Sequence, residues 1–197
     1  MFVVGKERAA DGCTEHAFVK DWNAVISVCQ GGFRRALRAL KQCGPVERSP
    51  YHNVLVMRVE DPTALLEAIE RKTDTDTALY DAISRVAPAM RTIDFQSIEE
   101  FKERITSVLM EWLPRLTGSS FRVRLHRRGD RHELRAPDLE RFFDDLLLDA
   151  TATKGAQSKI SFTDPDAVIA IDTVDDRAGI GLWAREDLAH HRLLRPD

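Results

Sequence analysis

The stretch Phe121-Arg122-Val123-Arg124-Leu125-His126-Arg127-Arg128-Gly129 constrains this chain more than any other. Phe121, Val123 and Leu125 alternate with Arg122, Arg124 and His126. A period of two belongs to a β-strand, whose successive side chains point to opposite faces. One face must therefore back onto a core while the other carries cations. Arg127, Arg128, Arg131 and Arg135 extend the charge, and only Asp130 and Glu133 oppose it. Guanidinium groups stay charged and donate paired hydrogen bonds that match phosphate oxygens. The strand thus points to nucleic acid; the alternative is a solvated face whose arginines pair with Glu133 or Asp138.

This basic charge is local. Lysine and arginine total 29 against 32 acids, a net charge of −3, so a polyanion must be held by a patch rather than by bulk charge. With 197 residues, 43% of them hydrophobic, the chain can bury a core and form one or two domains. Cys13, Cys29 and Cys43 are far apart, odd in number and form no CxxC. That pattern argues against a disulfide framework or a zinc site and fits a reducing compartment. No apolar run approaches the roughly 20 residues that cross a bilayer. Phe2-Val3-Val4 gives way at once to charge, so no signal peptide is read there. A cytoplasmic protein with no membrane partner is expected.

Residues 1–20 read as a lead-in whose flexibility is left open. A first domain is expected over 21–72. It starts with a strand at Trp22–Cys29, a turn at Gly31-Gly32 and a helix from Phe33 to Gln42 stopped by Gly44-Pro45. A second strand falls within Tyr51–Glu60, and Asp61-Pro62 opens a second helix as N-cap and first-turn proline. This run suggests a split βαβ unit. The polar stretch Thr73–Asp76 is taken as a linker, with a second domain over 76–187. Leu79, Ala82, Ile83 and Val86 give it a first helix, and Met90–Phe95 a strand. Ser97 and Glu100 form a capping box for a helix buried through Phe101, Ile105, Val108, Leu109 and Trp112 and ended by Pro114 and Gly118. The basic strand follows, then a helix from Pro137 to a stop at Gly155. Two strands, 166–174 and 177–183, make a hairpin at Asp175-Asp176, and 188–197 is left as a tail. The fold class is α+β or α/β in two lobes, with a mixed sheet flanked by helices.

The order of these pieces resembles the THUMP domain, an RNA-binding module of tRNA-modifying enzymes. The residues that carry the likeness are Phe121–Gly129, Lys159–Asp166 (KISFTDPD) and Val168–Glu186 (VIAIDTVDDRAGIGLWARE), with ISRVAP at 83–88 and SIEEFK at 97–102. The segment before residue 72 is similar to the ferredoxin-like lobe that precedes such domains, and the whole looks most like stand-alone THUMP proteins. Some of these assist a tRNA acetyltransferase that makes 4-acetylcytidine. The resemblance implies binding of the tRNA acceptor end, with its unpaired 3′ tail, by both lobes. It also implies presentation of the tRNA to a separate enzyme, without catalysis or cofactor here. Enzymes of this kind carry an added catalytic domain, and only about 10 residues follow the last expected strand, too few for one. The acidic turn Asp175-Asp176 departs from the expected Gly or Asn and does not favour phosphate nearby.

Other candidates have two readings each. His126 can stack on a base or donate to phosphate, or be an ordinary surface histidine. Lys154 and Lys159 flank Gly155 and Ser158, a loop able to offer ammonium and backbone N–H to phosphate. Arg177 either joins the basic surface or pairs with Asp175 or Asp176. Arg34, Arg35 and Arg38 open the first helix, where cations strengthen the pull of its N-terminus on an anion; an amphipathic helix with a polar back explains them as well. Gly179-x-Gly181-x-x-Ala184 spells a dinucleotide fingerprint but lies inside an expected hairpin strand, so close backbone approach explains it better. Asp144, Asp145 and Asp149 are read as a solvated helix face, and the three tryptophans as packing. An enzyme using His126, His132 and nearby acids is the competing class, and it requires a cleft that gathers them.

Overall fold

A computed structural model describes residues 20–129 and 135–195. Arg131, His132 and Glu133, and nearly all of the lead-in, lie outside the described residues. Two sheets make up the fold. The first contains β1 (Ala24–Val28), β2 (Val46–Arg48), β3 (Val54–Met57) and β4 (Ile83–Pro88), antiparallel in the order β2-β3-β1-β4. Its helices are α1 (Phe33–Leu40), α2 (Pro62–Thr75) and α3 (Thr77–Ala82). They pack Ala36, Leu40, Leu66 and Ile69 against Ile26, Leu55, Met57 and Val86. Asp61 caps α2, accepting from the N–H groups of Thr63 and Ala64 at 2.8 and 3.0 Å.

Residues 79–86 do not form the single helix expected of them. The helix stops at Ala82, and Ile83–Pro88 becomes a strand beside β1. Val86 and Ala87 point to opposite faces and both are buried, so the run is apolar on both sides and shows neither period cleanly. Thr73, Asp74 and Thr75 are not a linker but the last turn of α2, with Thr73 buried; Asp76 alone separates α2 from α3, and the change of sheet comes after Pro88. The stretch 188–197 is likewise more than a tail. Leu193 and Leu194 are buried with Ile83 and Val86, and the Leu193 carbonyl accepts from the Val86 N–H at 2.9 Å.

The second sheet runs β5-β9-β8-β6-β7, from β5 (Arg91–Asp94), β6 (Ser120–Arg128), β7 (Lys159–Ile160), β8 (Ala167–Val174) and β9 (Arg177–Ala184). The strand β6 lies parallel to β8 and β7, and the other pairs are antiparallel. The helices α4 (Ile98–Leu116) and α5 (Ala136–Thr153) cover one face, burying Phe101, Ile105, Leu109, Phe143 and Leu147 against Phe121, Val123 and Leu125. The short α6 (Arg185–His190) follows β9. Ser97 accepts from the Glu100 N–H at 3.1 Å, while Glu100 reaches back to Gln96 rather than to Ser97. The helix α4 runs through Pro114 to Leu116, because Leu113 and Leu116 are both core residues. In the β8–β9 turn Asp175 takes φ +54° and accepts from the Tyr51 hydroxyl, which supports an acid where Gly or Asn was expected.

The face of β8 and β9 away from α4 and α5 packs on the first sheet. Val174 joins Trp22, Val25, Val54, Val56 and Ala87 there. A Cβ on Gly179 would lie 2.8 Å from the Ala89 Cβ and 2.9 Å from the Trp22 ring, so close lobe contact requires glycine, as the sequence reading held.

Candidate nucleic-acid interface

The alternation in β6 is real, but it does not produce a comb of free cations. Strand parity puts Arg122, Arg124, His126 and Arg128 on the face turned from α4 and α5, and Arg127 on the other. Arg122 donates to the Phe162 carbonyl at 2.6 Å, and Arg124 lies 3.7 Å from Glu140 on α5. Arg127 donates to the Gly129 carbonyl at 2.7 Å. His126 is the ladder partner of Asp172. Arg128 is a correction: its side chain is only 16% exposed and bridges the lobes, bonding Asp172 at 3.0 Å and the Ser27 hydroxyl at 2.8 Å. It shares Asp172 with Arg85, whose guanidinium meets both carboxylate oxygens at 2.6 and 2.8 Å. Arg85 and Arg128 hold the buried Asp172 carboxyl below its ordinary range against the opposing effect of burial. Arg177 is also interior. It pairs with Asp94 at 2.7 Å, not with Asp175 or Asp176, and its Nε donates to the Trp22 carbonyl.

The free N–H edge of β6 explains an acid that sequence reading put in solvent. The two-residue β7 pairs only with Ser120 and Phe121. Beyond it α5 takes the place of a strand: Asp144 accepts from the Val123 N–H at 3.1 Å and Glu140 from the Leu125 N–H at 2.7 Å. Asp144 is 9% exposed, and burial pushes its carboxyl up to about 6 despite the Val123 bond.

Exposed cations gather instead on α1. Two clefts, of about 570 and 320 Å³, share Arg34 and Arg38. The larger adds Arg35 and Lys72, the smaller Lys41 and Arg48. Arg35 pairs with Asp76 at 3.4 Å, and Arg48 lies 5.0 Å over the Phe33 ring. Among the described residues no carboxylate comes within ion-pair distance of Arg34, Arg38 or Lys41. The period of α1 sets their direction. Ala36 and Leu40 face the sheet, which turns Arg34, Arg38 and Lys41 outward. Lys154 and Lys159 are exposed on the second lobe. Arg48 and Lys72 were missed because they join the cluster only through the fold. Phe162, 72% exposed, was missed too. Its sequence signal is an aromatic set in a polar turn, Ser161-Phe162-Thr163-Asp164-Pro165, with no apolar period around it.

The arrangement is thus a two-lobed α+β module with an accessible cationic helix face. Residues 95–182 match the family model of the THUMP domain. No curated protein matches in sequence. Among solved structures, PH1313 from Pyrococcus horikoshii OT3 aligns with a TM-score of 0.55 and 13% identity, over 81% of this chain and 53% of that one. A 4-thiouridine synthetase solved with RNA and bound ATP aligns at 0.52 and 14%, over 83% and 41%. TrmN from Thermus thermophilus aligns at 0.50 and 17%, over 82% and 44%. At these identities the likeness is one of fold, and the chain spans about half the length of these proteins or less. Among the described residues, no helix is long and apolar enough to cross a membrane.

Proposed function

We propose that this protein binds the acceptor end of tRNA and presents it to a separate modifying enzyme, without performing chemistry itself. The first lobe is read as ferredoxin-like, and both lobes contribute to the bound surface. The observation that carries the reading is the set of outward cations on α1, centred on Arg34 and Arg38 and adjoining two open clefts. Guanidiniums without carboxylate partners suit phosphate, which fixes register and affinity rather than base identity. Lys154, Lys159, Arg122 and Arg124 add cations on the second lobe. Recognition would then follow shape and unpaired ends, as RNA favours. The THUMP match and the RNA-bound 4-thiouridine synthetase of similar fold support this reading. The tRNA acetyltransferase forming 4-acetylcytidine is the partner that family resemblance suggests, in a cytoplasmic setting.

A filter-binding titration of tRNA tests the interface. Arg34→Glu with Arg38→Glu is expected to weaken binding at least tenfold at moderate salt while leaving the thermal melt unchanged. Affinity equal to wild type would remove the α1 face from the interface.

A further inference from the structure

Two large hydrophobic side chains stand exposed among the described residues, Phe142 and Phe162. Phe142 is in use: its ring lies edge-on to Phe143, and the Lys102 ammonium sits 4.8 Å over it. Phe162 has 72% of its surface exposed and makes no comparable ring contact among the described residues. Its loop, between β7 and β8, is nevertheless firmly held. The Ser161 N–H bonds the Phe121 carbonyl at 3.0 Å, and the Asp166 N–H bonds the Ser120 carbonyl at 2.9 Å. The Asp166 carboxylate accepts from the Ser120 hydroxyl at 2.6 Å and N–H at 2.7 Å, and these bonds hold its carboxyl below the ordinary range. Arg122 clamps the Phe162 carbonyl itself at 2.6 Å. Displaying a large apolar ring in water is unfavourable, and here the backbone is pinned so that the ring stays displayed.

The surrounding charge selects the occupant. Arg185 pairs with Asp164 at 3.1 Å and with Asp166 at 2.8 Å, offsetting one of the loop's two negative charges. Exposed Lys159, three residues before Phe162, and the Arg122 guanidinium offset the other and leave three cations against two acids around the loop, a local balance that favours anions. A flat ring beside cations is the combination that receives a base and its phosphate: rings stack on any base face, and cations follow the backbone.

We propose that Phe162 is a stacking platform for one unpaired base of the bound RNA, with Lys159 drawing the adjoining phosphate. This rests on the RNA-binding reading above. The test is a fluorescence-anisotropy titration of the full chain with tRNA carrying or lacking its unpaired 3′ tail. Phe162→Ala is expected to weaken binding of the tailed RNA by about five- to a hundredfold, the range one stacked base contributes. It should leave the tail-less RNA unaffected, and Phe162→Trp should bind the tailed RNA like wild type. Unchanged affinity of Phe162→Ala for the tailed RNA, or equal loss on both RNAs, overturns the stacking role. If Arg34→Glu with Arg38→Glu loses binding while Phe162→Ala does not, RNA binding stands and the platform alone falls. Wild-type protein that binds neither RNA overturns both, and unchanged RNA affinity is also the result expected if Phe162 instead meets a partner protein.

Discussion

Asp144 shows how little a residue's charge says about its place. The sequence puts it beside Asp145 on a helix with a strong apolar stripe, and the natural reading is a solvated acid. Its position is set by a distant fact: the short β7 leaves the N–H groups of β6 beyond Phe121 without a strand partner, and Asp144 takes that of Val123. Nothing local encodes such a pairing. The elevated pKa fixes the sign of its effect on stability. The ordinary value is 3.8 and the folded value about 6, so between them the folded state keeps a proton that the unfolded chain has lost. Stability from this group is full below pH 3.8, falls as pH rises through the window, and levels above about 6. Asp144→Asn keeps a carbonyl acceptor for Val123 and does not titrate. Its stability relative to wild type should therefore grow between pH 4 and 7, by at most about 3 kcal/mol and less where solvent reaches the helix edge. Urea denaturation at the two pH values checks this; a constant difference would mean that Asp144 ionises normally.

At the scale of elements, β6 was legible because one face of a strand meets the core and the other does not. The capped helix α2 and the hairpin β8–β9 were legible for similarly local reasons. The segment α3–β4 was not, since a strand buried on both faces loses its alternation. The cationic row failed at the same scale: alternation tells which face an arginine occupies, not whether a second lobe or helix covers that face. Arg128 and Arg177 meet the other lobe, and Arg124 meets α5. Glu140 accepts both the Leu125 N–H and the approach of Arg124, so it closes the β6 edge. Glu140→Ala leaves a partly buried N–H without its acceptor and should cost about 1–3 kcal/mol. Amide hydrogen exchange at Leu125 should speed up markedly in this variant. Unaltered protection there would show that α5 does not seal the edge.

The whole molecule depends on the junction between its sheets. Arg85, Asp172, Arg128 and Ser27 form a buried polar link across it, and Gly179 permits Trp22 to close the gap. Arg85→Ala removes the two-pronged partner of a buried carboxylate and leaves Asp172 only Arg128, so it should lose up to about 3–5 kcal/mol in denaturant titrations. A loss below about 1 kcal/mol would mean that the link is dispensable. With Arg128 and Arg177 taken up in the junction, the proposed polyanion surface centres, among the described residues, on the outward cations of α1. The salt dependence of tRNA affinity tests that claim most directly. Each neutralised phosphate steepens the slope of log K against log salt by about 0.7 to 0.9, and losing one phosphate-contacting cation makes it shallower by about 1. Wild type should bind steeply salt-dependently, and Arg34→Glu with Arg38→Glu should flatten the slope by about 2. Identical slopes for the two proteins, or affinity indifferent to salt, would contradict the account.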